Sequence, residues 1–139
     1  MNSGPVVPNP NSKQRLDGAE ILIVDDSPDN QTIISLFLNA VGAKVGVANN
    51  GLEAVQKMRT KTYDVVLMDI QMPLMDGYQA LKIANENGYR GPILALTAHA
   101  MKEEKDRCLA AGFTDYMSKP INRKALIARI AELATRLRK

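Results

Sequence analysis

The sequence contains one cysteine, Cys108, so no disulfide can form within the chain. A fold held together by bridges is excluded, and a reducing, cytoplasmic setting is the simplest reading. It also contains one histidine, His99. A single imidazole with no partner His or Cys makes a poor transition-metal site. No stretch approaches the roughly 20 uninterrupted apolar residues that cross a bilayer. The opening MNSGPVVPNPNSKQ lacks the long apolar core of a secretory signal. No GxxxxGK[ST] loop is present to cradle a nucleotide's phosphates. The net charge is only +3, although from Ile121 onward six basic residues (Arg123, Lys124, Arg129, Arg136, Arg138 and Lys139) face one acid, Glu132. No aromatic-rich basic stretch accompanies them. They read as a solvated helix face near the negative end of its dipole, and no nucleic-acid partner is expected.

What remains is an ordinary globule of 139 residues, 45% hydrophobic, long enough for one well-buried core. Residues 1–18 are rich in Pro, Asn, Ser and Gly without hydrophobic periodicity, and read as a flexible tail or linker ahead of a domain over 19–139. From Glu20 onward, short apolar runs alternate with helix-like segments. The runs are ILIV (21–24), KVGVA (44–48), VVLM (65–68), PILAL (92–96) and DYM (115–117). Strands alternating with helices predict a parallel sheet, and continuous apolar strands predict cover on both faces. Pro28 suits a first helical turn capped by Asp26 or Ser27, while Gly42 and Gly112 stand where helices end. The last helix carries Leu126, Ile127, Ile130, Leu133, Ala134 and Leu137 at one-stripe spacing.

In an open parallel sheet, ligands bind at the carboxyl ends of the strands. The first strand ends in Asp25 and Asp26, the third in Asp69 and the fourth in Thr97, and Lys119 follows the fifth. Three carboxylates gathered there repel one another unless a cation neutralises them. Oxygen-only ligands suit a hard ion, with Mg²⁺ the physiological choice. A carboxylate beside such a metal can act as a nucleophile toward phosphorus, giving an aspartyl phosphate. Lys119 and Thr97 then supply a cation and a hydroxyl donor to the remaining phosphoryl oxygens. Taken singly, each residue has an ordinary structural role as a turn, cap or surface group. Their convergence on one edge points to chemistry.

The segments ILIVDDSPDN, VVLMDIQMPLMDG, LALTAHAM and GFTDYMSKPI, in this order and spacing, resemble the response-regulator receiver domain of two-component signalling, from about Glu20 onward. The resemblance implies a flavodoxin-like, doubly wound α/β fold with a five-stranded parallel sheet of order 2-1-3-4-5. It implies Asp69 as phosphoacceptor in a phosphorelay, and Asp25, Asp26, Asp69 and the Gln71 backbone carbonyl around Mg²⁺. Thr97 and Tyr116 would form the switch pair, Lys119 the conserved-type lysine, and Lys119-Pro120 a cis peptide. The implied partner is a histidine kinase or a histidine phosphotransfer domain, docking near Asn30, Ile33 and Pro120. The wording of the motifs is most similar to receivers of hybrid sensor histidine kinases, and a parent kinase of that kind would tether the domain to a membrane it does not itself enter. A stand-alone single-domain regulator is the alternative.

Two readings of another class compete. An aspartate-nucleophile phosphohydrolase typically carries DxDxT, but the stretch here is DIQMP, with no second acid two residues on. A flavodoxin-like binding module would show a Ser, Thr or Gly phosphate loop after the first strand, where this chain has DDSPDN. Gln71 and His99 flank the site and are expected to set the lifetime of the aspartyl phosphate. Cys108 is expected to be a packing or surface thiol without chemistry, and Met72, Met75 and Met101 to fill loop or core space. In the first helix, Ile33, Ile34, Leu36, Phe37, Leu38, Ala40 and Val41 exceed the single stripe needed to pack on a sheet. The excess suggests either an apolar patch for a partner or crowding against neighbouring helices.

Overall fold

The computed structural model describes residues 15–99 and 101–137, with side chains in the last helix as far as Ala134. Residues 1–14 of the expected tail, Arg138 and Lys139, and the side chains of Arg136 and Leu137 lie outside the described residues. Five strands alternate with five helices: β1 (Glu20–Val24), α1 (Pro28–Asn39), β2 (Lys44–Ala48), α2 (Gly51–Thr60), β3 (Val65–Asp69), α3 (Gly77–Glu86), β4 (Ile93–Thr97), α4 (Lys102–Ala111), β5 (Asp115–Ser118) and α5 (Arg123–Leu137). The strands form one parallel sheet in the order β2-β1-β3-β4-β5. The expected fold class is the observed one.

Burial follows position in the sheet. The central strands β3 and β4 are buried along their whole length and β1 along all but its first residue, whereas the edge strands β2 and β5 are only partly covered. Alternate strand residues feed two separate cores. Ile21, Ile23, Val65, Leu67, Leu94 and Leu96 pack under α1 and α5 with Ile34, Leu38, Leu126 and Ile130. Leu22, Val24, Val66, Met68 and Ala95 pack under α2, α3 and α4, against many alanines: Ala48, Ala54, Ala80 and Ala84. Each fully buried Leu or Ile contributes about 1.5–3 kcal/mol to this assembly.

The helix starts follow their side chains. Ser27, not Asp26, caps α1, its Oγ accepting from the Asn30 N–H at 3.3 Å, with Pro28 in the first turn. Asn50 caps α2 through the Glu53 N–H, and Asp76 and Gln79 form a reciprocal capping box on α3. Gly112 closes α4 at φ +113°, a conformation that L side chains resist, and Gly42 turns the chain into β2 at φ +91°. α4 buries a single residue, Cys108. That thiol is fully covered and lies 3.4 Å from the Tyr78 hydroxyl, which donates to Glu104 at 2.8 Å.

One expectation is corrected. Residues 15–18 are part of the fold rather than of a tail: the Leu16 side chain is buried in the α1/α5 core, and the Leu16 and Gly18 N–H groups donate to Val41 and Gly42 carbonyls at 2.7 and 3.0 Å. Of the three methionines expected to fill loop or core space, Met101 stands in the loop ahead of α4, 59% exposed, whereas Met72 and Met75 pack against the α2/α3/α4 core. The excess apolar residues of α1 resolve into a buried stripe of Ile34 and Leu38 and an outer face on which Ile33 and Leu36 are 48% and 63% exposed.

Candidate functional site

β1 and β3 are neighbours, and their carboxyl ends place Asp25, Asp26 and Asp69 together. One carboxylate oxygen from each lies within 4.8 Å of the others. Asp25 and Asp69 are buried, and Asp26 faces solvent. The next strand outward, β4, brings Thr97, also buried, and the loop after β5 brings Lys119.

Each buried group is held from several sides. Asp69 Oδ2 accepts from Lys119 Nζ at 2.8 Å, and Oδ1 accepts from the Gln71 backbone N–H at 2.9 Å. Lys119 Nζ also reaches Asp25 Oδ2 at 3.3 Å. Asp25 Oδ1 accepts from the Ser27 N–H at 2.8 Å, and its Oδ2 from Asn30 Nδ2 at 3.4 Å. The Lys119 N–H donates to the Thr97 carbonyl at 2.7 Å, which ties the lysine's own backbone to the end of β4. The Lys119-Pro120 peptide is cis. The Thr97 hydroxyl is engaged within its loop, accepting from the His99 N–H at 3.1 Å and facing the His99 carbonyl at 3.4 Å.

The electrostatics reflect this burial. Loss of solvent pushes the Asp69 carboxyl above its ordinary range, against the opposing pull of Lys119 and the Gln71 N–H. Burial also opposes the charge on Lys119, but its bonds to Asp69 and Asp25 outweigh that cost and raise its affinity for the proton. Three carboxylates thus face one ammonium. The donors are all oxygens and the local charge is negative, so the residues present fit a hard divalent cation.

The chain matches the family model described as "Response regulator receiver domain" over residues 21–131. This chain belongs to the response regulator receiver domain family. Its receiver sequence is 42% identical over 111 residues to sensor histidine kinase GacS of Pseudomonas protegens, covering 76% of this chain and 12% of that protein. It is 37% identical over 123 residues to sensor histidine kinase RcsC of Salmonella typhi, covering 88% of this chain and 13% of that protein. The chain therefore spans about an eighth of the length of these curated relatives. Among solved structures it resembles the receiver domain of sensor histidine kinase PA1611 from Pseudomonas aeruginosa, with a TM-score of 0.77 and 41% identity, covering 85% of this chain and 98% of that one. That receiver was crystallised with a magnesium ion coordinated in its active-site cleft.

Within this receiver the structure brings together Asp25, Asp26, Asp69, Thr97 and Lys119. Gln71 joins through its backbone N–H while its side chain is exposed, as is His99. Tyr116 lies on β5, half-buried, with Lys105 Nζ 5.9 Å from its ring centre. Of the expected partner contacts, Ile33 and Pro120 are exposed, whereas Asn30 is half-buried and turns its amide onto Asp25. Sequence reasoning saw Ser27 only as a helix cap and missed Gln31 and Asn49 as neighbours of the site. Gln31 Nε2 donates to the Asp25 carbonyl at 2.6 Å and to Asn49 Oδ1 at 2.8 Å. The available signal was a pair of amides, Asn30 and Gln31, one helical turn beyond the acidic pair.

Proposed function

We propose that this receiver accepts a phosphoryl group on Asp69 from a phosphohistidine donor and changes conformation in response. An Asp69 oxygen forms a bond to phosphorus as the phosphorus–nitrogen bond of the donor breaks, the electron pair leaving on the imidazole nitrogen. Asp25, Asp26, Asp69 and the Gln71 carbonyl would hold Mg²⁺, which when bound neutralises charge on the transferring group. Lys119 offsets the growing charge on another phosphoryl oxygen. In the resting arrangement it already pairs with Asp69, so transfer requires it to exchange that partner for the phosphoryl oxygen. Thr97 similarly exchanges its bond to the His99 N–H for one to the phosphoryl group, and Tyr116 moves into the space released. Gln71 and His99, both exposed at the rim, govern water access and hence how long the phosphoryl group persists.

The carrying observation is the Lys119 ammonium bridging Asp69 and Asp25 at the end of a buried strand pair. The donor is a histidine kinase or histidine phosphotransfer domain, docking on the outer face of α1 and the loop containing Pro120. The relatives favour an origin as the receiver of a hybrid histidine kinase.

The test is to mix the protein with Mg²⁺ and acetyl phosphate and record intact mass beside Asp69→Asn. The expected result is one phosphoryl adduct on the wild type, absent from the variant and absent without Mg²⁺. An adduct of equal size on Asp69→Asn, or no adduct with the donor left unspent, refutes the reading.

A further inference from the structure

We propose that Gln31 and Asn49 are positioning residues that aim the Asp26 carboxylate at the cation site, a proposal that rests on the reading of Asp25, Asp26 and Asp69 as Mg²⁺ ligands. The problem they solve is specific to Asp26. Asp25 and Asp69 are buried and each receives several hydrogen bonds, but Asp26 is exposed, and among the described residues no hydrogen bond fixes its carboxylate. A free carboxylate on a free backbone samples many directions, and ordering it on the metal costs entropy. Its direction must come through the main chain.

The peptide joining Asp25 to Asp26 is a rigid plane, so fixing the direction of its carbonyl fixes the direction in which Asp26 leaves it. That carbonyl accepts the 2.6 Å bond from Gln31 Nε2. The other hydrogen of the same amide goes to Asn49 Oδ1 at 2.8 Å, so both donors are used and the amide has one orientation. Asn49 is held in turn: its Nδ2 and its backbone N–H both donate to Glu53 Oε1, at 3.1 and 3.0 Å. Glu53 sits in the first turn of α2, where the helix dipole favours a carboxylate. The result is a continuous polar chain from the start of α2, across the end of β2, to the carbonyl of the peptide that leads into Asp26. Its members carry complementary donors and acceptors at every link, which is how such networks rigidify a site.

The experiment measures Mg²⁺ binding by titration calorimetry on the full chain, with the urea midpoint of the metal-free protein recorded in parallel. Gln31→Met keeps the length of the side chain and removes both donors. Asn49→Ala lies on the surface and removes only the outer anchor. The outer partners of metal ligands typically influence affinity by 10- to 100-fold, so Gln31→Met is expected to raise the Mg²⁺ Kd about tenfold and Asn49→Ala by a smaller factor. In an Asp26→Asn background Gln31→Met should have no further effect, because the residue it aims has lost its charge. An unchanged Kd in both variants, whatever the urea midpoint does, overturns the proposal, as does an equal loss in the Asp26→Asn background. A wild type that binds no Mg²⁺ overturns it together with the metal assignment, whereas normal wild-type binding with unaffected variants refutes the positioning role alone.

Discussion

Gly77 begins α3 directly behind Asp69. Its N–H donates to the Ile70 carbonyl at 3.1 Å, drawing the helix start against the end of β3. A Cβ placed there would stand 2.7 Å from Ile70 Cα, 2.8 Å from the Asp69 carbonyl oxygen and 3.1 Å from Ile70 Cγ2, whereas ordinary contact begins near 3.4 Å. Two of the three obstacles are main-chain atoms of the strand end that carries Asp69, so no rotamer change relieves them. Gly77→Ala must push α3 away or displace residues 69–70. Overpacking of this kind costs about 1–3 kcal/mol. For a domain of this size that lowers the melting midpoint by roughly 4–12 °C. Displacement of Asp69 relative to Lys119 should also slow phosphoryl uptake from acetyl phosphate by about tenfold or more. Gly88→Ala is the control. Gly88 has φ +86° with nothing within 4 Å of the added methyl, so it pays only the left-handed backbone penalty of about 1 kcal/mol and leaves uptake unchanged. The measurements are thermal unfolding and intact-mass phosphorylation kinetics on the three proteins. Wild-type melting and uptake in Gly77→Ala would refute the reasoning.

Other outcomes follow from the same geometry. Leu74 is 88% exposed and holds φ +70°, so Leu74→Asn should stabilise the metal-free domain by about 1 kcal/mol in urea titration, and a lower midpoint would count against strain there. Burial raises the Asp69 pKa in the folded state, so its protonated form stabilises the metal-free fold; that contribution is complete below the ordinary value of 3.8 and is lost as pH rises through the folded value. Compared with Asp69→Asn, the metal-free wild type should therefore lose stability as pH rises through that window, and parallel pH profiles would contradict the assignment. Paired substitution Gln71→Ala and His99→Ala should change the rate at which the phosphorylated protein returns to unmodified mass by several-fold, and an unchanged rate would remove both residues from control of water access.

Much of this was legible in the chain because its strands are apolar on both faces. Runs such as VVLM and ILIV announce a covered parallel strand, and the first polar residue after each then marks the sheet's carboxyl edge. Asp69 and Thr97 were readable on that basis, and the structure assigns them to the last positions of β3 and β4. Three things were hidden. Leu16 is one apolar residue in a polar segment, so no periodicity betrays that it enters the core. Cys108 is buried within KEEKDRCLAA, whose charges obscure the single inward position. The Gln31–Asn49 link joins residues 18 apart, and its members look like the solvated polar groups found at any helix start. Pairings of that kind depend on which loops the fold lays side by side.

The single inward side chain of α4 has a thermodynamic meaning. α2 and α3 each bury four residues, so opening either must expose several apolar groups to water. α4 uncovers one buried side chain when it peels away, the Cys108 thiol, and otherwise gives up the half-exposed contacts of Glu104 and Arg107 with Tyr78 and of Lys105 with Tyr116. Its local unfolding free energy is therefore expected to lie below those of α2 and α3, and its amides to exchange with solvent before theirs. A domain built this way holds Asp69 at the end of a fully buried strand while a neighbouring helix rests on one inward side chain, so a surface can rearrange there without disturbing a core.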